Sequence, residues 1–312
     1  MAGHPVPMIV CDCDGRTGAW LRRSTLEQLI HEADRALYRA KHLGRDRVVR
    51  TTVRASAPLA GLVVVGSGIQ FDRHVSERCM AEIREAQTVF CLVDPFALEV
   101  IASLRPDAIN LRLHDAPGKD RRQSCGEIEE SIMTELRTGK QVCAVFHGHP
   151  GVFAEIPHRV IGKARDEGFP ARMEPGISAE ACLYADLNID PGHGGVQSMH
   201  AMQFLIGDRK IDPAGLLLLW HLAQSGDPSR TRERSGREGL QALVRKLLLE
   251  YPPEHEVILY EAARRPSETA RADRISLGDL ATEQCGECTI LVIPARGGLR
   301  NDSRQGHGEE MP

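Results

Sequence analysis

The sequence predicts an α/β protein built as two successive halves, and three observations carry that prediction. From Gly61 onward, short apolar runs such as "LVVV" at 62–65, "VFCLV" at 89–93 and "VCAVF" at 142–146 alternate with segments whose apolar residues recur at helical spacing. Such alternation is the signature of a mostly parallel sheet with helices on its faces. The pattern resumes after "PARMEPG" at 170–176, which sets a boundary near Gly176. A chain of 312 residues, 42% hydrophobic and 26% charged, has the length and composition for two such domains with a sizeable core.

The elements follow in order. Ahead of the α/β region, "TLEQLIHEADRALYRAKHLGRDRVV" at 25–49 carries Leu26, Leu29, Ile30, Ala33, Leu37 and Ala40 at helical spacing, then Gly44 as a stop and a short Val-Val strand. The polar, small-residue stretch "RTTVRASAP" at 50–58 closes this extension, assigned to residues 1–57. Residues 58–175 form the first domain: a strand at 62–65, a helix around 73–87, a strand at 89–93, a helix from Pro95, a helix over about 125–138, a strand at 142–146 and a helix around 156–167. Residues 176–295 form the second, with a helix near 178–186, the run "GLLLLWH" at 215–221, a helix over about 237–250, "EVILY" at 256–260 and "CTILVIP" at 288–294. The Gly-rich, polar residues 296–312 predict a disordered tail.

Composition narrows the function classes. A formal net charge of −4 gives no general attraction to nucleic acid, and "RTRERSGR" at 230–237 reads as a solvated loop and helix start. The longest apolar runs fall short of the roughly 18 residues that cross a bilayer, so no membrane partner is expected. No secretory signal opens the chain, and nine cysteines, an odd number, suit free thiols in the cytoplasm.

Two glycine clusters sit at strand ends. "LVVVGSGIQ" puts Gly66, Ser67 and Gly68 directly after the first strand, where backbone turns tightly or approaches a ligand. It is not a dinucleotide fingerprint, because Phe71 stands where G-x-G-x-x-G needs its third glycine. "VFHGHPGVF" at 145–153 is the second. His147 and His149 could be metal ligands, a catalytic base or structural residues. No further ligand stands at a recognised spacing, and alternate strand-end residues point to opposite faces, so no metal site is assigned. Cys285 and Cys288 form one C-x-x-C, half a zinc site at most.

Three stretches, "GKDRR" at 118–122, "VFHGHPGVF" at 145–153 and "GFPARMEPGISAEACLYADLNIDP" at 168–191, with a closing "TILVIP", resemble the tetrapyrrole methylase superfamily. Within it they are similar to the borosin branch of peptide-backbone N-methyltransferases. The resemblance runs from Gly61 to Pro294. It implies two α/β domains with the cofactor S-adenosylmethionine in the cleft between them, S-adenosylhomocysteine as product, and a homodimer. It also implies that His147, Gly148, His149, Pro150, Gly151, Val152 and Phe153 form one cofactor loop, that Ser178 and Ala179 begin a second, and that His221, Ala262 and Thr289 complete the site. Gly66, Ser67 and Gly68 are then expected on the substrate side. Separately, "ADRALYRAKHLGRDRVV" resembles the closing segment of GGDEF-type diguanylate cyclase domains, without their catalytic signature.

A backbone amide is a poor nucleophile because its lone pair is delocalised, so an enzyme that methylates it must loosen the N–H proton and stabilise the resulting oxyanion. The resemblance places Arg121 on the arginine that does the latter. Where the peptide-methylating relatives carry tyrosines, this chain has His114, Cys125 and His147, with His147 or His114 as the expected base. The polar tail is no apolar core peptide, so a precursor peptide is expected as a partner in trans. The competing expectations are methylation of a tetrapyrrole or other small molecule, and a cofactor-binding pseudoenzyme.

Overall fold

The computed structural model describes residues 60–114, 119–226 and 236–297. The expected GGDEF-like helix and strand and the polar tail from residue 298 lie outside the described residues.

The first half is a five-stranded parallel sheet. In chain order it comprises β1 (Gly61–Gly66), α1 (Phe71–His74), α2 (Glu77–Glu85), β2 (Thr88–Leu92), α3 (Pro95–Leu104), β3 (Ile109–Asn110), a 3-10 turn (Leu111–His114), α4 (Arg121–Arg137), β4 (Gln141–Phe146), α5 (Glu155–Asp166) and β5 (Ala171–Glu174). The strand order is β3-β2-β4-β1-β5. One apolar cluster packs Leu62, Val64, Phe90 and Ala144 beneath α4 and α5, and a second packs Val63, Val65, Cys91 and Val145 beneath α1 to α3. With both faces covered, the central strands are continuous apolar runs rather than alternating ones. The expected helix over 73–87 is two, α1 and α2, because Val75 is extended and Ser76 starts α2 afresh, its hydroxyl accepting from the Cys79 N–H.

The second half contains α6 (Ala179–Asp186), β6 (Val196–His200), α7 (Ala201–Ile206), β7 (Leu216–Trp220), a 3-10 turn (Leu222–Gln224), α8 (Arg237–Leu247), β8 (Glu256–Glu261), β9 (Arg271–Ser276), a 3-10 segment (Leu277–Thr282) and β10 (Ile290–Ile293). Its sheet order is β6-β7-β10-β8-β9. Here the direction differs from the first half: β6 and β7 pair in parallel, while β10 runs antiparallel to both β7 and β8, and β8 to β9. Apolar periodicity marks a buried strand but carries no direction, so this could not be read from the runs.

Register sets the position of the site. Gly66 pairs with Phe146 and Leu92 with Phe146, so β1, β4 and β2 end level, and the loops after them share one edge. His200 pairs with Trp220 at the parallel ends of β6 and β7. Ligands of open α/β sheets bind at such carboxyl ends. No described helix is long and apolar enough to cross a membrane.

Candidate functional site

The strand-end glycines weld the edge together. Gly68 and Gly148 exchange both backbone hydrogen bonds, N–H to carbonyl at 3.1 and 3.0 Å. A Cβ on Gly66 would fall 2.5 Å from the Gly148 oxygen, and one on Gly176 2.2 Å from the same atom. These three glycines therefore let the loops after β1, β4 and β5 close on each other. Ser67 is fully buried and its hydroxyl donates to the Gly68 carbonyl at 2.7 Å. Gly66, Ser67 and Gly68 line neither of the two clefts, and the Ser67 and Gly68 N–H groups are engaged within this junction.

The first cleft opens beside the loop after β4. His147, Gly148, His149, Val152, Phe153 and Ala154 line it from that loop, Ser178 and Ala179 from the start of α6, and Trp220 and His221 from the end of β7. Ala262 and Arg264 after β8 and residues 287–290 before β10, Thr289 among them, complete the lining. Pro150 and Gly151 are not part of the lining: they shape the turn, in which Gly151 N–H donates to His149 Nδ1 at 2.9 Å and Val152 N–H to the His149 carbonyl at 3.1 Å. With the Gly148, Gly151 and Val152 N–H groups engaged inside the protein, what this loop presents is chiefly shape and side chains. Phe153, in the left-handed region at φ 50°, stacks on Trp220 with ring centroids 4.6 Å apart. Thr289 is buried and donates its hydroxyl to Glu261.

A second cleft shares Phe153, Ala154 and His221 with the first and extends to Arg121, Cys125, Phe146, Glu155, His200 and Gln224. Arg121 opens α4, which the Asp120 carboxylate caps, rather than lying in a loop before a helix near 125. Cys125 is one turn further along and so shares its face. Among the described residues the Arg121 guanidinium has no ion-pair or hydrogen-bond partner.

His147 and Asp94 form a pair that no sequence spacing reveals. His147 follows β4 and Asp94 follows β2, and the parallel register brings His147 Nδ1 to 3.3 Å from Asp94 Oδ2. Asp94 Oδ1 caps α3 by accepting from the N–H groups of Phe96 and Ala97. Burial pushes the Asp94 carboxyl up, but His147 and the two amide donors together hold it below its ordinary value. A carboxyl depressed in the fold adds stability above its unfolded pKa and loses it as pH falls through the folded one. Asp94→Ala is accordingly expected to cost about 1 kcal/mol at neutral pH. The gap should narrow below pH 3.8, the ordinary value, and denaturant titrations across pH would show it.

His114 lies elsewhere. Its Nδ1 is 3.3 Å from Glu127 Oε2, which Lys119 also holds, and it lines neither cleft. Glu127 is six residues past Arg121, about 120° round the helix from it, which keeps His114 off the Arg121 face. Residues 115–118 of the adjoining loop lie outside the described residues. Cys285 is buried and Cys288 lines the first cleft. Sequence reasoning missed Asp94, His200, Trp220, Gln224, Arg264 and Glu287. Of these, Asp94 carried a local signal, Asp before Pro at a helix start.

Residues 61–278 match the model of the family described as Tetrapyrrole (Corrin/Porphyrin) Methylases. The chain is 35% identical over 240 residues to the methyltransferase/ribosomally synthesized cyclic peptide dendrothelin A precursor of Dendrothele bispora, covering 75% of this chain and 58% of that one. To the corresponding lentinulin A precursor of Lentinula edodes it is 36% identical over 242 residues, with the same 75% and 58% covered. The chain thus spans a little under three fifths of the length of these curated relatives. The solved uroporphyrin-III-C-methyltransferase of Thermus thermophilus shares the fold, with a TM-score of 0.54, 19% identity, and coverage of 78% of this chain and 99% of that one. A family match running from β1 into the segment before β10, over a two-sheet fold of the same kind, shows that the chain belongs to the tetrapyrrole (corrin/porphyrin) methylases.

Proposed function

We propose that the chain is an S-adenosylmethionine-dependent methyltransferase that methylates backbone amide nitrogens of a ribosomally made peptide carried on a separate chain. The observation that carries this reading is Arg121, a guanidinium without a carboxylate partner among the described residues, facing a cleft that adjoins the one beside the β4 loop.

The residues of the first cleft fit the cofactor. Ala179 and Ala262 are small enough to leave room for a purine. The Phe153–Trp220 stack offers aromatic surface to a sulfonium, and Arg264 and Glu287 offer opposite charges to the carboxylate and ammonium of an amino-acid end. S-adenosylmethionine, when bound, supplies an electrophilic methyl group and is left as S-adenosylhomocysteine. The chain's own residues then have two tasks. His147 takes the amide proton: with Nδ1 turned to Asp94, Nε2 is the nitrogen that accepts. Arg121 holds the amide oxygen as charge gathers on it. The N–H bond breaks, the N–C bond forms, and the proton passes from His147 to solvent.

Charge favours a peptide over a tetrapyrrole. Histidines aside, the charged linings of the two clefts are Arg121 and Arg264 against Glu155 and Glu287, which balance. A macrocycle rimmed with carboxylates finds no cationic excess there, whereas a peptide backbone is neutral. A homodimer in the cytoplasm belongs to the same proposal, and light scattering on the purified chain tests the pairing.

Calorimetry tests the cofactor assignment. The chain is expected to bind S-adenosylhomocysteine, and Ala262→Leu, which fills the cleft, to weaken binding at least about tenfold. Equal affinity in that variant would place the cofactor elsewhere.

A further inference from the structure

The second cleft holds a buried amide whose orientation the protein fixes. His200 ends β6, and its Nδ1 accepts from the Met202 N–H at 3.2 Å. The ring proton therefore sits on Nε2, which lies 3.1 Å from the Gln224 side-chain oxygen and donates to it. The oxygen of the Gln224 carboxamide faces His200, so its nitrogen is turned away from that ring. The His200 ring is itself held by stacking on His221, centroids 4.7 Å apart. The Gln224 backbone N–H is bound to the His221 carbonyl, so main chain and side chain are both pinned.

Gln224 is 3% exposed and lines the cleft, yet among the described residues its carboxamide nitrogen has no acceptor. The Gln224 nitrogen is not among the buried polar atoms without a partner, so it is open to the cleft, where a ligand carbonyl can replace water on its N–H groups. The acceptor that fits is an amide carbonyl, because a carboxamide N–H is a neutral donor and a carbonyl oxygen accepts from it without bringing a charge into the cleft. Arg121 belongs to the half of the first sheet and Gln224 to that of the second, so two donors reach one cleft from both halves. An extended peptide has carbonyls along its length to meet both.

Resting on the peptide-methylation reading, we propose that Gln224 is a specificity-determining residue whose carboxamide N–H groups hold a neutral backbone carbonyl of the acceptor peptide. His200 acts through Gln224 as a positioning residue.

The test is a ligand-observed NMR titration of a blocked valine–glycine tetrapeptide amide into the full chain saturated with S-adenosylhomocysteine. Gln224→Glu keeps an oxygen for His200 but has no N–H to donate; it is expected to weaken the peptide about fivefold to twentyfold, and Gln224→Met to do the same. S-adenosylhomocysteine affinity should be unchanged in both variants, which shows that they are folded. Peptide affinity unchanged in Gln224→Glu overturns the inference. So does a wild-type chain that binds S-adenosylhomocysteine but ignores the blocked peptide. Failure of the wild type to bind S-adenosylhomocysteine at all instead defeats the methyltransferase reading beneath it.

Discussion

Replacing Arg121 by methionine is expected to slow methyl transfer about a hundredfold to a thousandfold, the usual cost of removing one donor to a developing oxyanion. Asp120 spends its carboxylate on capping α4 through the Arg122 N–H, and Arg121 engages no acid among the described residues. A guanidinium left without a partner at a cleft wall is available to charge that appears during reaction. Arg121→Lys should recover part of the rate, since it keeps the charge and loses the fork. Affinity for S-adenosylhomocysteine should not change in either variant, because Arg121 lines the second cleft and not the first. Single-turnover rates beside calorimetric affinities separate the two effects, and a methionine variant at the parent's rate would remove Arg121 from the chemistry.

His147→Phe should lower the same rate about a hundredfold or more, as loss of a general base does. His114→Phe should leave it within about twofold, since surface changes away from a site have small effects. The contrast follows from partners. His147 lines the first cleft and turns one nitrogen to the buried Asp94, whereas His114 sits with Glu127 and Lys119 outside both clefts. Equal losses in the two variants, or none in His147→Phe, would contradict the assignment of the base.

What the sequence revealed follows the physics of burial. Six strands were legible, β1, β2, β4, β7, β8 and β10, and every one of them is interior to its sheet. The four that were not, β3, β5, β6 and β9, are the edges. An edge strand is partly solvated, as in "RADRIS" of β9, and loses the apolar run that marks a strand. The site was legible to the same extent. The loop after β4 stood out through its glycines, while His200, at the end of the edge strand β6, was hidden with it. Asp94 needs the β2–β4 register to meet His147, and no spacing along the chain encodes that. At Gly66 to Gly68 the sequence leaves two roles alike, since a glycine that lets two loops touch looks the same as one that admits a ligand.

Mass spectrometry reads methyl transfer to a backbone amide directly. A pool of synthetic apolar peptides is incubated with the purified chain and S-adenosylmethionine, and products are fragmented to locate each added methyl. The account predicts increments of one methylene placed on backbone nitrogens of the added peptides, and their loss in Arg121→Met. Methyl groups found on carbon or on side chains, or no increment in any peptide although S-adenosylmethionine binds, would contradict it.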